Sequence, residues 1–118
     1  MEVFLAQKDI RLDKAVLRQV KIHCLESLVK ESCGLIVEST SGLKVLPCKN
    51  ESPFPEYHFM INLNIFIENK VLYVYHSHVN CSVKPSITDK LYSDELCIPF
   101  LIYSIRDDEF GIYNNISV

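Results

Sequence analysis

The stretch Val71-Leu72-Tyr73-Val74-Tyr75-His76-Ser77-His78, then seven residues closed by Pro85, then Ser86-Ile87-Thr88-Asp89, decides how this chain is read. The first five residues are apolar or aromatic and β-prone, the pattern of a strand buried on both faces. Residues two apart in a strand share a face, so the imidazoles of His76 and His78 emerge side by side. Ser86 opens a helical pattern, and Asp89 lies one turn in. Two histidines and a carboxylate can therefore converge on one point. Three N/O ligands, with a fourth position left to water, describe a catalytic zinc site; structural zinc sites are usually closed by four protein ligands.

The same residues have a plainer use. Ser86 and Asp89 after a proline form a variant capping box, with the serine at the N-cap and the acid three residues later. A His-x-His pair at a strand end can be two partly exposed histidines. The two uses of Ser86 and Asp89 are compatible, because a capping residue can also be a ligand.

Length and composition set the frame. The chain has 118 residues, one domain's worth of core spanning 1–118. A net charge of -3 with no basic cluster gives no electrostatic footprint for nucleic acid. Apolar runs such as 71–75 and 98–103 are too short to span a bilayer, so no membrane partner is expected. The N-terminal MEVFLAQKD lacks a basic region followed by an apolar one, so no secretory signal is read. The five cysteines, Cys24, Cys33, Cys48, Cys81 and Cys97, are odd in number and form no CxxC pair. They read as reduced thiols in a cytoplasmic protein, mostly small core residues.

In chain order, Val3-Phe4-Leu5 can supply a short edge segment. Asp13 is a plausible N-cap, with Leu12 and Leu17 as a staple across it. The period is helical from Lys14 to about Val29, with Leu17, Val20, Cys24 and Leu28 on one stripe. His23 is expected at the surface. Leu35–Glu38 and Leu43–Cys48 read as a hairpin turning through Thr40-Ser41-Gly42. A proline-rich loop, 50–58, follows, and His58 within it is not expected to be a ligand. A short helix is expected around Leu63–Glu68, then the central strand. The helix from Ser86 to about Cys97 should turn Ile87, Leu91 and Leu96 inward, and Pro99 ends it. Strands are expected at 100–105 and 110–113. This order predicts an α/β fold: a three-layer-like sandwich of a mixed central sheet with helices on its faces. The motif should lie at the carboxyl end of a central strand, where such sheets place their sites.

A zinc ion held in this way yields a nucleophilic water and a Lewis acid, so hydrolysis of an amide is the natural chemistry. That reaction also needs a general base and donors for the oxyanion. Spacing alone does not choose the base. Glu31, at the junction of a helix and a buried strand, reads locally as a solvated acid. A zinc nucleoside deaminase is set aside, because the H-x-E and P-C-x-x-C pair is missing.

His76-Ser77-His78, seven residues, Ser86, two residues and Asp89 resemble the JAMM signature of the JAB/MPN metallopeptidases, H-[S/T]-H-x7-S-x2-D. Glu31-Ser32-Cys33-Gly34-Leu35 resembles that family's E-x-C-G-L element. The resemblance covers most of the chain. It implies a cytidine-deaminase-like sandwich in which His76, His78 and Asp89 bind one Zn2+. It further implies that Glu31 acts as general acid/base and that Ser86 donates a hydrogen bond to the tetrahedral intermediate. Within the family the chain resembles the peptidase domain of phage tail assembly proteins of the K type, through Pro47-Cys48-Lys49-Asn50, the proline-rich loop, Pro85-Ser86 and Pro99-Phe100. Val79 and Lys30 stand where many members have proline.

The function implied is zinc-dependent cleavage of a peptide or isopeptide bond during phage tail assembly, in a bacterial or phage-infected cell. Its substrate would be a peptide or protein, such as a tail protein or a ubiquitin-like protein. Two alternatives remain at this stage: a non-catalytic MPN assembly module, and a peptidase trimming sulfur-carrier proteins. The chain leaves no room for the insertions with which ubiquitin-cleaving members grip ubiquitin. Oligomeric state is not legible in the sequence.

Overall fold

In a computed structural model, the apolar run and the His-Ser-His after it form one continuous strand, Val71–His78. The structure describes residues 3, 4, 9 and 11–115, with backbone alone at 3 and 4. The elements in order are β1 (Val3–Phe4), α1 (Lys14–Cys24), β2 (Cys33–Ser39), β3 (Gly42–Cys48), α2 (Leu63–Glu68), β4 (Val71–His78), α3 (Ile87–Leu96), β5 (Phe100–Ser104) and β6 (Glu109–Tyr113). Leu5, expected to extend the first edge segment, lies outside the described residues.

The strands form one mixed sheet in the order β1-β6-β5-β4-β2-β3. β4 is central, antiparallel to β2 and parallel to β5. A parallel neighbour requires a crossover, and α3 supplies it. Alternation along β4 sends Tyr75 to one face, against Ile36, Leu101, Tyr103 and Phe110, where α1 packs. It sends Val74 to the other, against Cys33, Leu35, Phe59 and Phe100, with residues of α2 and α3 packed over them. Helices thus lie on both faces of the sheet. Val74 to His78 are buried, but Val71, Leu72 and Tyr73 are only half-buried, so the strand is sealed on both faces at its carboxyl end alone.

Local chemistry accounts for most boundaries. Asp13 caps α1 by accepting the Val16 N–H at 3.0 Å, and Leu12 and Leu17 are both buried beside it. The inward stripe is Val16, Leu17, Val20 and Cys24. The helix ends five residues before Val29, contrary to the periodic expectation. Ser27 Oγ accepts the Lys30 N–H at 3.0 Å, diverting a backbone donor from the helical ladder, and Leu28 and Val29 stand exposed. His23 is half-buried, not a surface residue: its Nδ1 lies 2.6 Å from the Tyr75 hydroxyl. The cysteines divide, with Cys24 and Cys33 in the core and Cys81 and Cys97 exposed, and none is bonded to another.

The clearest departure is in α3. Ile87 and Leu91, expected inside, are 79% and 65% exposed, and the buried residues are Asp89 and Ser93. Tyr92 and Leu96 pack against the core beside them. Residues 89, 92, 93 and 96 form an i, i+3, i+4, i+7 stripe, so the helix is rotated to bring its acid inward. Ser93 offsets its burial by donating to the Ile98 carbonyl at 2.6 Å. No helix among the described residues is long and apolar enough to cross a membrane.

Candidate metal centre

His76 and His78 share the β4 face that looks toward α3, and Asp89 enters from the first turn of that helix. All three side chains are buried. The two Nε2 atoms are 3.3 Å apart. Asp89 Oδ1 is 3.1 Å from His76 Nε2, and Oδ2 is 2.9 Å from His78 Nε2. Four donors at about 2.0–2.1 Å from a tetrahedral centre stand about 3.3 Å from one another. The spacing and the donor set, two imidazoles and a carboxylate, suit one zinc ion with a position left over.

The surroundings orient each donor. His78 Nδ1 lies 2.7 Å from the Ser82 carbonyl and donates its proton there, which directs the other ring nitrogen inward. His76 is held by packing instead. Its ring stacks on Phe59 with centroids 4.4 Å apart and meets the edge of Phe100 at 5.6 Å, while its Nδ1 has no hydrogen-bond partner. Asp89 Oδ2 accepts the Ser86 N–H at 3.0 Å, and Ser86 Oγ accepts the Asp89 N–H at 3.0 Å. Both readings of Ser86 and Asp89 hold together: the pair caps α3, and the cap aims the carboxylate. The Ser86 hydroxyl accepts in that bond, which leaves its own proton for another acceptor.

Glu31 precedes β2. The antiparallel register sets Cys33 opposite His76, and the Ser77 N–H donates to the Ser32 carbonyl at 3.0 Å. Glu31 lies just before that ladder, close enough to Asp89 for the negative charge there to act on its carboxyl. Glu31 is buried and its Oε1 has no hydrogen-bond partner. It lines a cleft of about 360 Å³ with Glu56, Tyr57, Asn80 and Cys81. A second, apolar groove of about 520 Å³ runs between the 52–61 loop and α3, with Phe59 and Tyr92 in its wall.

The charges are sorted by environment. Burial pushes the Glu31 carboxyl up to about 9, and the negative charge of Asp89 adds to the shift. Asp89 goes the other way: burial alone would raise it, but the two imidazoles and the Ser86 N–H hold it far below the usual carboxylate range. His76 is lowered, because burial outweighs the pull of Asp89. His78 is raised: burial opposes this, but Asp89 and the Ser82 carbonyl prevail.

The structure thus brings together His76, His78 and Asp89, with Ser86 and Glu31 beside them. His58 is exposed and away from the metal donors; its backbone accepts from Asn50 and donates to the Phe54 carbonyl. Phe59 was not legible as a site residue, since an aromatic in an irregular loop carries no periodic signal.

The chain matches no family model. Among known proteins it is similar to tail tip assembly protein K of Escherichia phage N15, at 26% identity over 89 residues. That stretch covers 72% of this chain and 37% of the relative, so the chain spans little more than a third of the relative's length. Among solved structures it is similar to protein DSY2949 from Desulfitobacterium hafniense, with a TM-score of 0.62 and 20% identity over 84% of this chain and 77% of the other. The second likeness concerns the fold alone. The first is a weak homology to a phage tail assembly protein.

Proposed function

We propose that this chain is a zinc-dependent peptidase or isopeptidase of the JAB/MPN type, cleaving a protein substrate during phage tail assembly. The observation that carries the reading is the convergence of three buried donors beside a fourth buried acid that is not one of them. His76, His78 and Asp89 would hold the ion. When bound, zinc lowers the pKa of its water to about 7 and polarises the scissile carbonyl. Glu31 would take the water proton and return it to the leaving amine. Ser86 donates its hydroxyl proton to the developing oxyanion. The substrate would be an extended chain, such as the tail of a ubiquitin-like or tail protein, entering by the cleft that Glu31 lines.

One observation favours a non-catalytic assembly module instead: Asp89 reaches both histidines directly, so the buried polar cluster has partners without an ion. Metal content and turnover separate the readings. Protein purified without chelator is expected to carry one zinc per chain, and His78→Ala to carry none. Glu31→Gln should keep the zinc and lose cleavage of co-expressed tail proteins. Protein that takes up no transition ion would leave the assembly module as the reading.

A further inference from the structure

Asn50 touches none of the metal donors, yet its side chain uses the full bonding capacity of an amide. Nδ2 donates to the Glu31 carbonyl at 2.9 Å and the His58 carbonyl at 3.0 Å, and lies 3.5 Å from the Pro55 carbonyl. Oδ1 accepts the Ser52 N–H at 3.0 Å and the Met60 N–H at 3.2 Å. With carbonyls on one side and N–H groups on the other, a single amide orientation satisfies the site.

Two consequences meet at Glu31. Its carbonyl is held by Asn50, and its N–H donates at 2.7 Å to Pro55, in the loop that Asn50 folds. Both backbone groups of Glu31 therefore end on the same loop. At the other end of that loop Phe59 stacks on His76. The Glu31 carboxyl has no such support, since Oε1 is buried without a hydrogen-bond partner. With Oε1 bonded to nothing, the backbone sets where the side chain starts and the packing around it does the rest; the charge of Asp89 reaches the carboxyl from there. The metal donors are held chiefly by other means, the β4 ladder, the Ser82 carbonyl and the Ser86 cap, and the stacking of Phe59 on His76 is the contact they share with this loop.

We infer that Asn50 is the positioning residue for Glu31: by clamping the Glu31 backbone to the loop that carries Phe59, it aims the carboxyl at the metal donors. The inference rests on the acid/base role proposed above. Asn50 acts on Glu31 and not on the ion, so losing it uncouples the two.

The test uses the full chain with Asn50→Ala and Asn50→Asp. The aspartate variant loses the donors to Glu31 and His58 but keeps the acceptor for Ser52 and Met60, so it retains half of the loop's bonds to residue 50 and serves if the alanine variant folds poorly. In metal-free protein, NMR hydrogen exchange at the Glu31 amide is expected to speed up by about tenfold or more in both variants, with β4 amides unchanged. Cobalt(II), as the metal probe, should bind within about threefold of the parent, because the Asn50 amide bonds to none of its donors and Phe100 still packs on His76 when the loop loosens. In the cobalt-loaded protein, Asn50→Asp and Glu31→Gln should shift the pH midpoint of the visible spectrum in the same direction, and the double variant should shift it no further than Glu31→Gln alone. Unchanged Glu31 exchange, equal loss of protection throughout the chain, or additive spectral shifts would overturn the inference. The parent reading fails separately: no cobalt uptake, or a spectrum indifferent to Glu31→Gln, removes the acid/base role while the exchange result still decides what Asn50 holds.

Discussion

Ser77 Oγ accepts the backbone N–H of Ser32 at 2.9 Å. The residue between the two histidines thus grips the residue after Glu31, and its own N–H donates to the Ser32 carbonyl at 3.0 Å. Ser77 is fully buried, and its side chain lies on the opposite side of β4 from the imidazoles. One strand therefore sends two donors one way and a clamp the other. Ser77→Ala leaves the Ser32 N–H short of its partner, which should cost about 1–2 kcal/mol of stability. Zinc affinity should change little, and turnover should fall more. Urea denaturation with a chelator-competition titration checks both; a zinc affinity that collapses along with stability would show that Ser77 serves the ligands and not the Glu31 segment.

Glu31 makes the metal-free protein sensitive to alkali. Its folded-state carboxyl sits at about 9 through burial first and the charge of Asp89 second, against an ordinary value of 4.5. A raised pKa means that the folded state holds a proton the unfolded state releases. The associated stability is complete below about 4.5 and drains as pH rises through 9. Glu31→Gln removes the ionisation. It should exceed the parent by at least about 1 kcal/mol at pH 8 in the presence of chelator, with the gap closing toward pH 5. Parallel stability curves for the two proteins would show that Glu31 is not held as described.

Zinc should stabilise the fold measurably. A ligand at 100 times its Kd that binds only the folded state adds about 2.7 kcal/mol. For a domain of this size that raises Tm by roughly 10 °C. Asp89→Asn is the sharper control, because asparagine keeps an oxygen for the Ser86 N–H but loses the charge and sets an NH2 group where the other oxygen faced His76. The variant should stay folded with α3 capped and show little zinc-dependent rise. A full rise in Asp89→Asn would exclude Asp89 from the donor set.

The legible and illegible parts of this chain divide along physical lines. His76, His78, Ser86 and Asp89 could be placed because strand alternation and helix capping are local rules, and local rules survive tertiary context. The turn of α3 could not. A hydrophobic count turns Ile87 and Leu91 inward, but the buried contacts of Asp89 with two imidazoles outweigh their transfer to the interior, and both stand in solvent. Leu28 failed for a related reason: the period continues through it, but the helix has already ended at Cys24, where the Glu26 N–H turns back to the His23 carbonyl. Asn50 and Phe59 act through contacts distant in sequence, between Asn50 and Glu31 and between Phe59 and His76, which no window along the chain displays. The fold class needed only the element order, and that order was readable.

Gly34 is the position where the sheet beneath the site is most sensitive. It pairs with Tyr75 on β4 and Pro47 on β3. A Cβ built there would lie 2.5 Å from the Leu46 carbonyl oxygen and closer still to the end of the Tyr75 ring. That ring cannot simply swing aside, since Tyr75 is fully buried and its hydroxyl lies 2.6 Å from His23 Nδ1. Gly34→Ala must push apart the Leu46 backbone or the Tyr75 ring, and overpacking of this kind costs about 1–3 kcal/mol. Tyr75 is the immediate neighbour of His76, so displacement of the ring should also weaken zinc binding. Shortening the obstacle tests the cause. In the Tyr75→Leu background, Gly34→Ala should cost markedly less than in the parent, a coupling read by thermal denaturation of the four proteins of the cycle. If the two substitutions simply add, the Leu46 carbonyl and not the Tyr75 ring is what forbids a side chain at residue 34.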